Sequence, residues 1–212
     1  MPEYDVAAPS ESLERGPKYR GKLLLLLLLA AGVFFWITGC ISTVTPPENP
    51  EDPVTVYLVE ATCHAGVVLP APRGGMLDFA YGDWDWYAQN HDSWYHAFDT
   101  VLWPTQGTLG QRRLPSGDLS ALQPRFPGYS LRPFQASRKK VALLLDRLQA
   151  RYARNRAGAV YNARFDLTFV KDDPGYWFLH NCNDEVADWT RILGCSVSWV
   201  PIRSGLRLAQ EE

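Results

Sequence analysis

Hydrophobic positions along the chain fall into three regimes. The first is an uncharged run without periodicity, LLLLLLLAAGVFFWITG, seventeen residues from Leu23 to Gly39. The second is β-branched or alternating: Val54–Ala61 (VTVYLVEA), His64–Leu69 (HAGVVL, stopped by Pro70) and Met76–Tyr81, with Arg73-Gly74-Gly75 as the turn between the last two. These read as three strands. The third is helical. Ser137 stands at an N-cap position, and Val141, Leu144, Leu145, Leu148 and Tyr152 follow at i, i+3, i+4, i+7 and i+11. Arg164–Val170 alternates like a strand, and Tyr176–Leu179 reads as another that runs into Asn181-Cys182-Asn183-Asp184. Val186, Trp189 and Leu193 then repeat at helical spacing until Gly194. Residues 84–103 are crowded with aromatics and read as short helices, whereas residues 104–133, rich in Pro and Gly, read as irregular loop with one helical turn. The order strands, helices, strands, helix predicts an α+β domain over 54–212, with no internal repeat.

The N-terminal run admits two readings. Arg15, Lys18, Arg20 and Lys22 precede it in a polar segment spanning 1–22. As an uncleaved helix it is at the short end of what spans about 30 Å of hydrocarbon. As a secretory signal, its basic flank, apolar core and closing Ile37-Thr38-Gly39-Cys40 resemble a bacterial lipobox, which makes Cys40 the candidate lipidation site. In both readings the basic flank stays cytoplasmic and the domain faces outward, since Glu48, Glu51 and Asp52 follow the run. The expected location is the cell envelope, anchored to membrane lipid. Residues 40–53, with four Pro, read as an extended tether.

Charge removes one class of function. Lys+Arg is 21 against Asp+Glu 23, so no basic excess exists to neutralise nucleic-acid phosphates. Four Cys are too few for a disulfide scaffold in a chain able to bury a core. Eight Trp, ten Tyr and nine Phe make the aromatic content high. The segment 84–103, which holds many of them, reads either as a groove for acyl chains or sugars or as a lid packed on the core. No Gly-rich phosphate loop and no paired metal-ligand spacing occurs, so no cofactor and no metal are expected.

The chemistry-bearing residue is Cys182, at a strand-to-helix junction. It precedes Val186, Trp189 and Leu193 by four, seven and eleven residues, which puts it on the inward face of the helix. The helix N-terminus favours a thiolate there, and neighbouring N–H groups suit a developing oxyanion. A nucleophilic thiolate needs a base, and the chain has His64, His91, His96 and His180. His180 precedes the thiol on a strand and reads as flanking; His91 and His96 are poorly spaced for one helix face. His64, opening a short apolar strand, is the preferred base. A buried structural Cys and a satisfied strand His are the competing explanation for both residues.

His64-Ala-Gly-Val-Val-Leu followed far downstream by His180-Asn-Cys182-Asn-Asp resembles a circularly permuted papain-like domain, the superfamily of NlpC-type peptidases and lecithin:retinol acyltransferase. With Tyr81-Gly-Asp-Trp and Trp103-Pro-Thr added, the pattern is similar to an uncharacterised bacterial family, number 2459 among the domains of unknown function. The resemblance covers about residues 54–200. It implies a Cys182–His64 pair and an antiparallel sheet packed against the Cys-bearing helix. It also implies a third polar group that orients the His, with Asp83 matching the pattern best beside Asp78 and Asp85; a turn-forming Gly-Asp explains Asp83 equally well.

The expected activity is cysteine-dependent acyl transfer. Cys182 attacks a carbonyl, His64 takes its proton and returns it to the leaving group, and the acyl-enzyme passes to water or an amine. Substrates would be amides or esters in envelope peptide, lipid or lipoprotein. The rival is a non-catalytic envelope binding or assembly module that keeps the same shell. Two further expectations concern packing. Cys63 and Cys195 are not expected to form a disulfide, because Cys195 lies thirteen residues along the helix from Cys182. Arg138, Lys139, Lys140, Arg147, Arg151, Arg154 and Arg156, against Asp146, read as a solvated helix face or one lying on anionic headgroups.

Overall fold

The computed structural model describes residues 18–38, 41–91, 103–115, 117–200 and 202–209. The chain divides into two units, Met1–Trp36 and Ile37–Glu212. Residues Leu23 to Thr38 of the apolar run lie in α1 (Lys18–Thr38), whose Leu23–Leu29, Val33 and Phe34 are exposed. Among the described residues no helix is long and apolar enough to cross a membrane. Cys40 lies outside the described residues, as do His96 and most of the aromatic segment.

The second unit is α+β, with ten strands in two sheets among the described residues. β1 (Ile41–Thr45), β2 (Pro53–Ala61), β3 (His64–Pro70) and β4 (Met76–Asp83) come first, followed by the single turn α2 (Trp84–Tyr87). Next are β5 (Thr105–Leu114), α3 (Leu119–Leu122), β6 (Ser130–Ser137) and the long α4 (Arg138–Arg154). β7 (Val160–Asn162), β8 (Leu167–Tyr176), α5 (Cys182–Ile192), β9 (Ser196–Val197) and β10 (Gly205–Leu208) complete it. The main sheet is antiparallel throughout, in the order β6-β2-β3-β4-β5-β8-β7, and a small sheet has the order β10-β1-β9.

Strand alternation gives the main sheet two apolar faces. Leu58, Ala65, Val67, Phe79, Tyr81 and Val170 pack with Val141, Leu144, Leu145 and Leu148 of α4 and with Val186, Trp189 and Leu193 near α5. The opposite face carries Tyr57, Val59 and Val68 under Leu122 and Phe126, and Ala80 with Leu167 and Phe169. The two amphipathic helices are those the spacing predicts. Gly194, at φ +98°, ends α5, as a glycine can without steric cost.

Four expectations need correction. Residues 104–133 hold the expected helical turn, α3, but also a ten-residue strand, β5, between β4 and β8. Its Gly110 is required by packing, because a Cβ there would lie 2.6 Å from the Phe169 ring. The first part of the 40–53 tether is β1, paired in parallel with β10, with Ser42 and Val44 fully buried. Tyr176 is the last residue of β8, and Trp177–His180 is a turn closed by the Trp177 and His180 main chains rather than a strand. Ser137 is the N-cap of α4, as the spacing predicts, though its side chain makes no capping bond. The basic face of α4 is not wholly solvated. Arg151 turns inward, donating from Nε to Asp172 and from Nη1 to Glu185 at 2.9 Å.

Candidate active site

Cys182 is the first residue of α5 and is 1% exposed. Its position is set by a reciprocal cap. Asn181 Oδ1 accepts from the Asn183 N–H at 2.8 Å, and Asp184 Oδ2 accepts from the Asn181 N–H at 3.1 Å. Asn181 Nδ2 also donates to the carbonyls of Phe178 and Arg203, which ties the cap to the preceding turn and to the C-terminal segment.

The thiol meets the main chain at the start of β3. Cys182 Sγ lies 3.6 Å from the carbonyl oxygen of Cys63, to which it donates. β3 pairs with β4 only from Gly66 onward, opposite Ala80. One residue before that ladder, Ala65 directs its N–H at the thiol. The Asn183 N–H and the Tyr176 hydroxyl are the other two donors. Burial nevertheless dominates: it pushes the thiol up to about 11, against the lowering effect of these three bonds. The sequence-based expectation of a lowered thiol pKa at the helix N-terminus therefore fails in this state.

His64 stands between the two residues whose main chain touches the thiol, yet its ring leaves the strand on the other face. Ala65 packs into the α5 side of the sheet, and neighbouring strand residues point oppositely. The half-buried His64 ring lies against Tyr87 and Tyr129, at centroid separations of 5.7 Å and 5.8 Å. Its Nδ1 is 3.4 Å from the Tyr87 hydroxyl. Burial brings its pKa down to about 4. At neutral pH both groups are uncharged, and the resting site is not a thiolate–imidazolium pair.

The three Asp candidates separate cleanly. Asp83 caps α2: Oδ1 accepts from the Trp86 N–H at 2.8 Å and Oδ2 from the Thr105 hydroxyl at 2.5 Å. Its oxygens serve the turn and β5 rather than the His64 ring. Asp78 lies on the His64 side of the sheet, accepts from Arg112 Nε at 2.8 Å, and is raised by burial to about 6. Asp85 is in the first turn of α2. None of the three is bonded to His64, whose hydrogen-bond partner is Tyr87.

His180, read from sequence as flanking, belongs to a polar network that spacing did not reveal. Its Nε2 is 3.3 Å from Glu185 Oε1, and this carboxylate raises the His180 pKa. Glu185 also takes Arg151, which in turn holds Asp172, 1% exposed. The ring of His180 stands edge-on to Tyr81 at 5.7 Å. Tyr176 and Tyr87 are the functional residues that sequence reasoning missed. Both lie outside any motif; the end of β8 brings Tyr176 to the thiol, and the helical turn α2 brings Tyr87 to His64.

The fold and site together define an α+β protein built around a buried thiol at the N-terminus of a core helix. No family model, curated protein or solved structure matches the chain.

Proposed function

We propose that the chain is a cysteine-dependent acyl hydrolase or acyltransferase with Cys182 as nucleophile and His64 as base. The observation that carries this reading is the set of donors around Sγ. Two main-chain N–H groups and a tyrosine hydroxyl converge on one thiol at a helix N-terminus, beside the strand that begins with His64. A structural cysteine needs no such donors, whereas a developing thiolate or oxyanion does. Because both groups rest uncharged, proton transfer accompanies attack instead of preceding it, and on this reading the start of β3 has to rearrange to bring the His64 ring to the α5 side of the sheet. The order of a His-bearing strand before a Cys-bearing helix supports a permuted papain-like arrangement. The basic flank, apolar run and Ile37-Thr38-Gly39-Cys40 support an envelope protein anchored by lipid or helix, with its domain outside the cytoplasm, acting on an amide or ester of envelope peptide, lipid or lipoprotein.

The test is acyl capture. Incubation with p-nitrophenyl acetate should leave an acetyl group on Cys182, detected by mass spectrometry, and His64→Ala should slow its formation at least a hundredfold. Acylation at other residues only, or an adduct rate indifferent to His64, would remove the enzyme reading. One observation favours the alternative of a non-catalytic binding or assembly module: the thiol is sealed, and the His64 ring is engaged with Tyr87 and Tyr129.

A further inference from the structure

The face of the main sheet opposite α5 contains a cavity of about 210 Å³. Its floor is a row of missing side chains. Val59 pairs with Gly66, Gly66 with Ala80, and Ala80 with Gly110. The Phe169 ring fills the space above Gly110 and closes that end, which leaves Gly66 and Ala80 as the open floor. Aromatic side chains, Phe126, Phe165 and Tyr129 among them, wall the space, and His64 lines it as well. An apolar volume of about 150 Å³ accommodates benzene, so this one has room for a single ring or a short chain.

One polar group in the wall points to the ligand's chemistry. Arg112 is only 11% exposed and stacks on Phe126 at 4.2 Å. Its Nε is used by Asp78 at 2.8 Å. Its terminal nitrogens make no hydrogen bond among the described residues; Nη1 keeps a longer ion pair, 3.6 Å, to Oδ2 of the half-exposed Asp166. A guanidinium presents five donors in a fixed fork, and the terminal pair suits a carboxylate. Arg125 and Arg164 also line the cavity, against Asp78 as the one acidic residue in the described lining.

We infer that this cavity binds a compact apolar monocarboxylate, its ring or short chain resting on Gly66 and Ala80 and its carboxylate on the terminal nitrogens of Arg112. The site lies on the opposite face from the Cys182 helix and goes beyond the acyl-transfer reading, because binding needs no chemistry at the thiol. The bound acid and an inert Cys182 could both be true.

The experiment is isothermal titration of the purified full-length chain with 3-phenylpropionate and with hexanoate, beside acetate and the neutral 3-phenylpropanol. Saturable one-site binding of either acid is expected, with the alcohol at least tenfold weaker and acetate silent; which acid binds tighter separates a ring from a chain. Ala80→Leu, which fills the floor, should weaken the acid at least tenfold, and Leu167→Phe fills the same space should that variant not fold. In the neutral pair Asp78→Asn with Arg112→Gln, acid and alcohol should bind alike. Absence of saturable binding by both acids, an alcohol as tight as its acid, or binding unchanged by the filling variants would overturn the site.

Discussion

The thiol of Cys182 donates to the carbonyl of Cys63, so the turn between β2 and β3 is fastened to the first residue of α5. Cys63 takes φ +61° in that turn and keeps its own thiol exposed. Two cysteines thus sit side by side with opposite reactivity. At pH 8, iodoacetamide should modify Cys63 at least ten times faster than Cys182, whose thiol is held near 11 by burial. The Cys182 rate should rise about tenfold per pH unit and level off only near pH 11, and the two should converge in urea. Peptide mapping with time checks this, and an equal native rate would show that the thiol is not sealed.

Tyr176 is the donor at the thiol that can be removed by substitution. Tyr176→Phe deletes a hydroxyl that bonds Cys182 and leaves the ring packing near Tyr81 at 6.0 Å. The expected cost is about 1 kcal/mol in urea unfolding. On the acyl-transfer reading the same change should lower the acetylation rate of Cys182 well beyond what that stability loss explains, because the donor's value grows as negative charge develops. A rate equal to wild type would assign Tyr176 to packing alone.

His64 and Asp78 make opposite contributions to acid stability. The folded His64 has a pKa near 4 against 6.5 when free, so the unfolded chain binds more protons between those values and stability falls as pH drops through that window. Asp78 is raised from 3.8 to about 6, so its contribution is greatest in acid and is lost as pH rises through the same range. The two offset each other in wild type. Comparing wild type with His64→Gln isolates the first: the stability advantage of wild type should shrink by about 2 kcal/mol from pH 7 to pH 4, the half-buried ring reducing the full effect. A difference constant with pH would contradict the buried neutral imidazole.

What the sequence revealed follows from how local each determinant is. The β2 and β3 strands and both long helices carry their own periodicity in consecutive residues, and each forms where that pattern lies. β5 does not, because Gly107, Gly110 and Arg113 disguise a strand that exists through its partners β4 and β8. β1 is likewise hidden: ISTVT is ordinary until it meets Gly205–Leu208 at the far end of the chain. Cys182 was legible as a helix-start thiol. The side of the sheet taken by the His64 ring was not, since alternation gives relative facing and only the packing of Ala65 under α5 says which face is which. Burial of the thiol, and with it the direction of its pKa, is likewise a property of the assembled core.

Arg151 illustrates a cation concealed in a basic helix face. Its guanidinium is bonded to both Asp172 and Glu185, which are 1% and 8% exposed at the side chain. Arg151→Met leaves the buried Asp172 without its cation and Glu185 with only His180, at a cost of about 3 kcal/mol. Substituting all three together, Arg151→Met with Asp172→Leu and Glu185→Met, should recover most of that loss. Urea midpoints at constant m-value decide it, and a single variant as stable as wild type would mean that the pairing is not formed in solution.

The cap at Asn181 is where fold and site share one residue. Its Oδ1 receives the Asn183 N–H, while its Nδ2 satisfies the carbonyls of Phe178 and Arg203. Asn181→Ala removes an acceptor and both donors, so the loss should reach about 2 kcal/mol, the upper end for a helix cap. Asn181→Ser keeps a capping oxygen and should recover about half of it, because the two carbonyls remain unserved. The consequence for Cys182 follows directly. The Asn183 N–H is shared between the Asn181 cap and the thiol, and freeing it from the cap leaves α5 less fixed at its first turn. Cys182 in Asn181→Ala should therefore react with iodoacetamide several times faster at pH 8 than in wild type, with Asn181→Ser between them. Unchanged reactivity despite lost stability would mean that the thiol is held by Ala65 and Tyr176 alone.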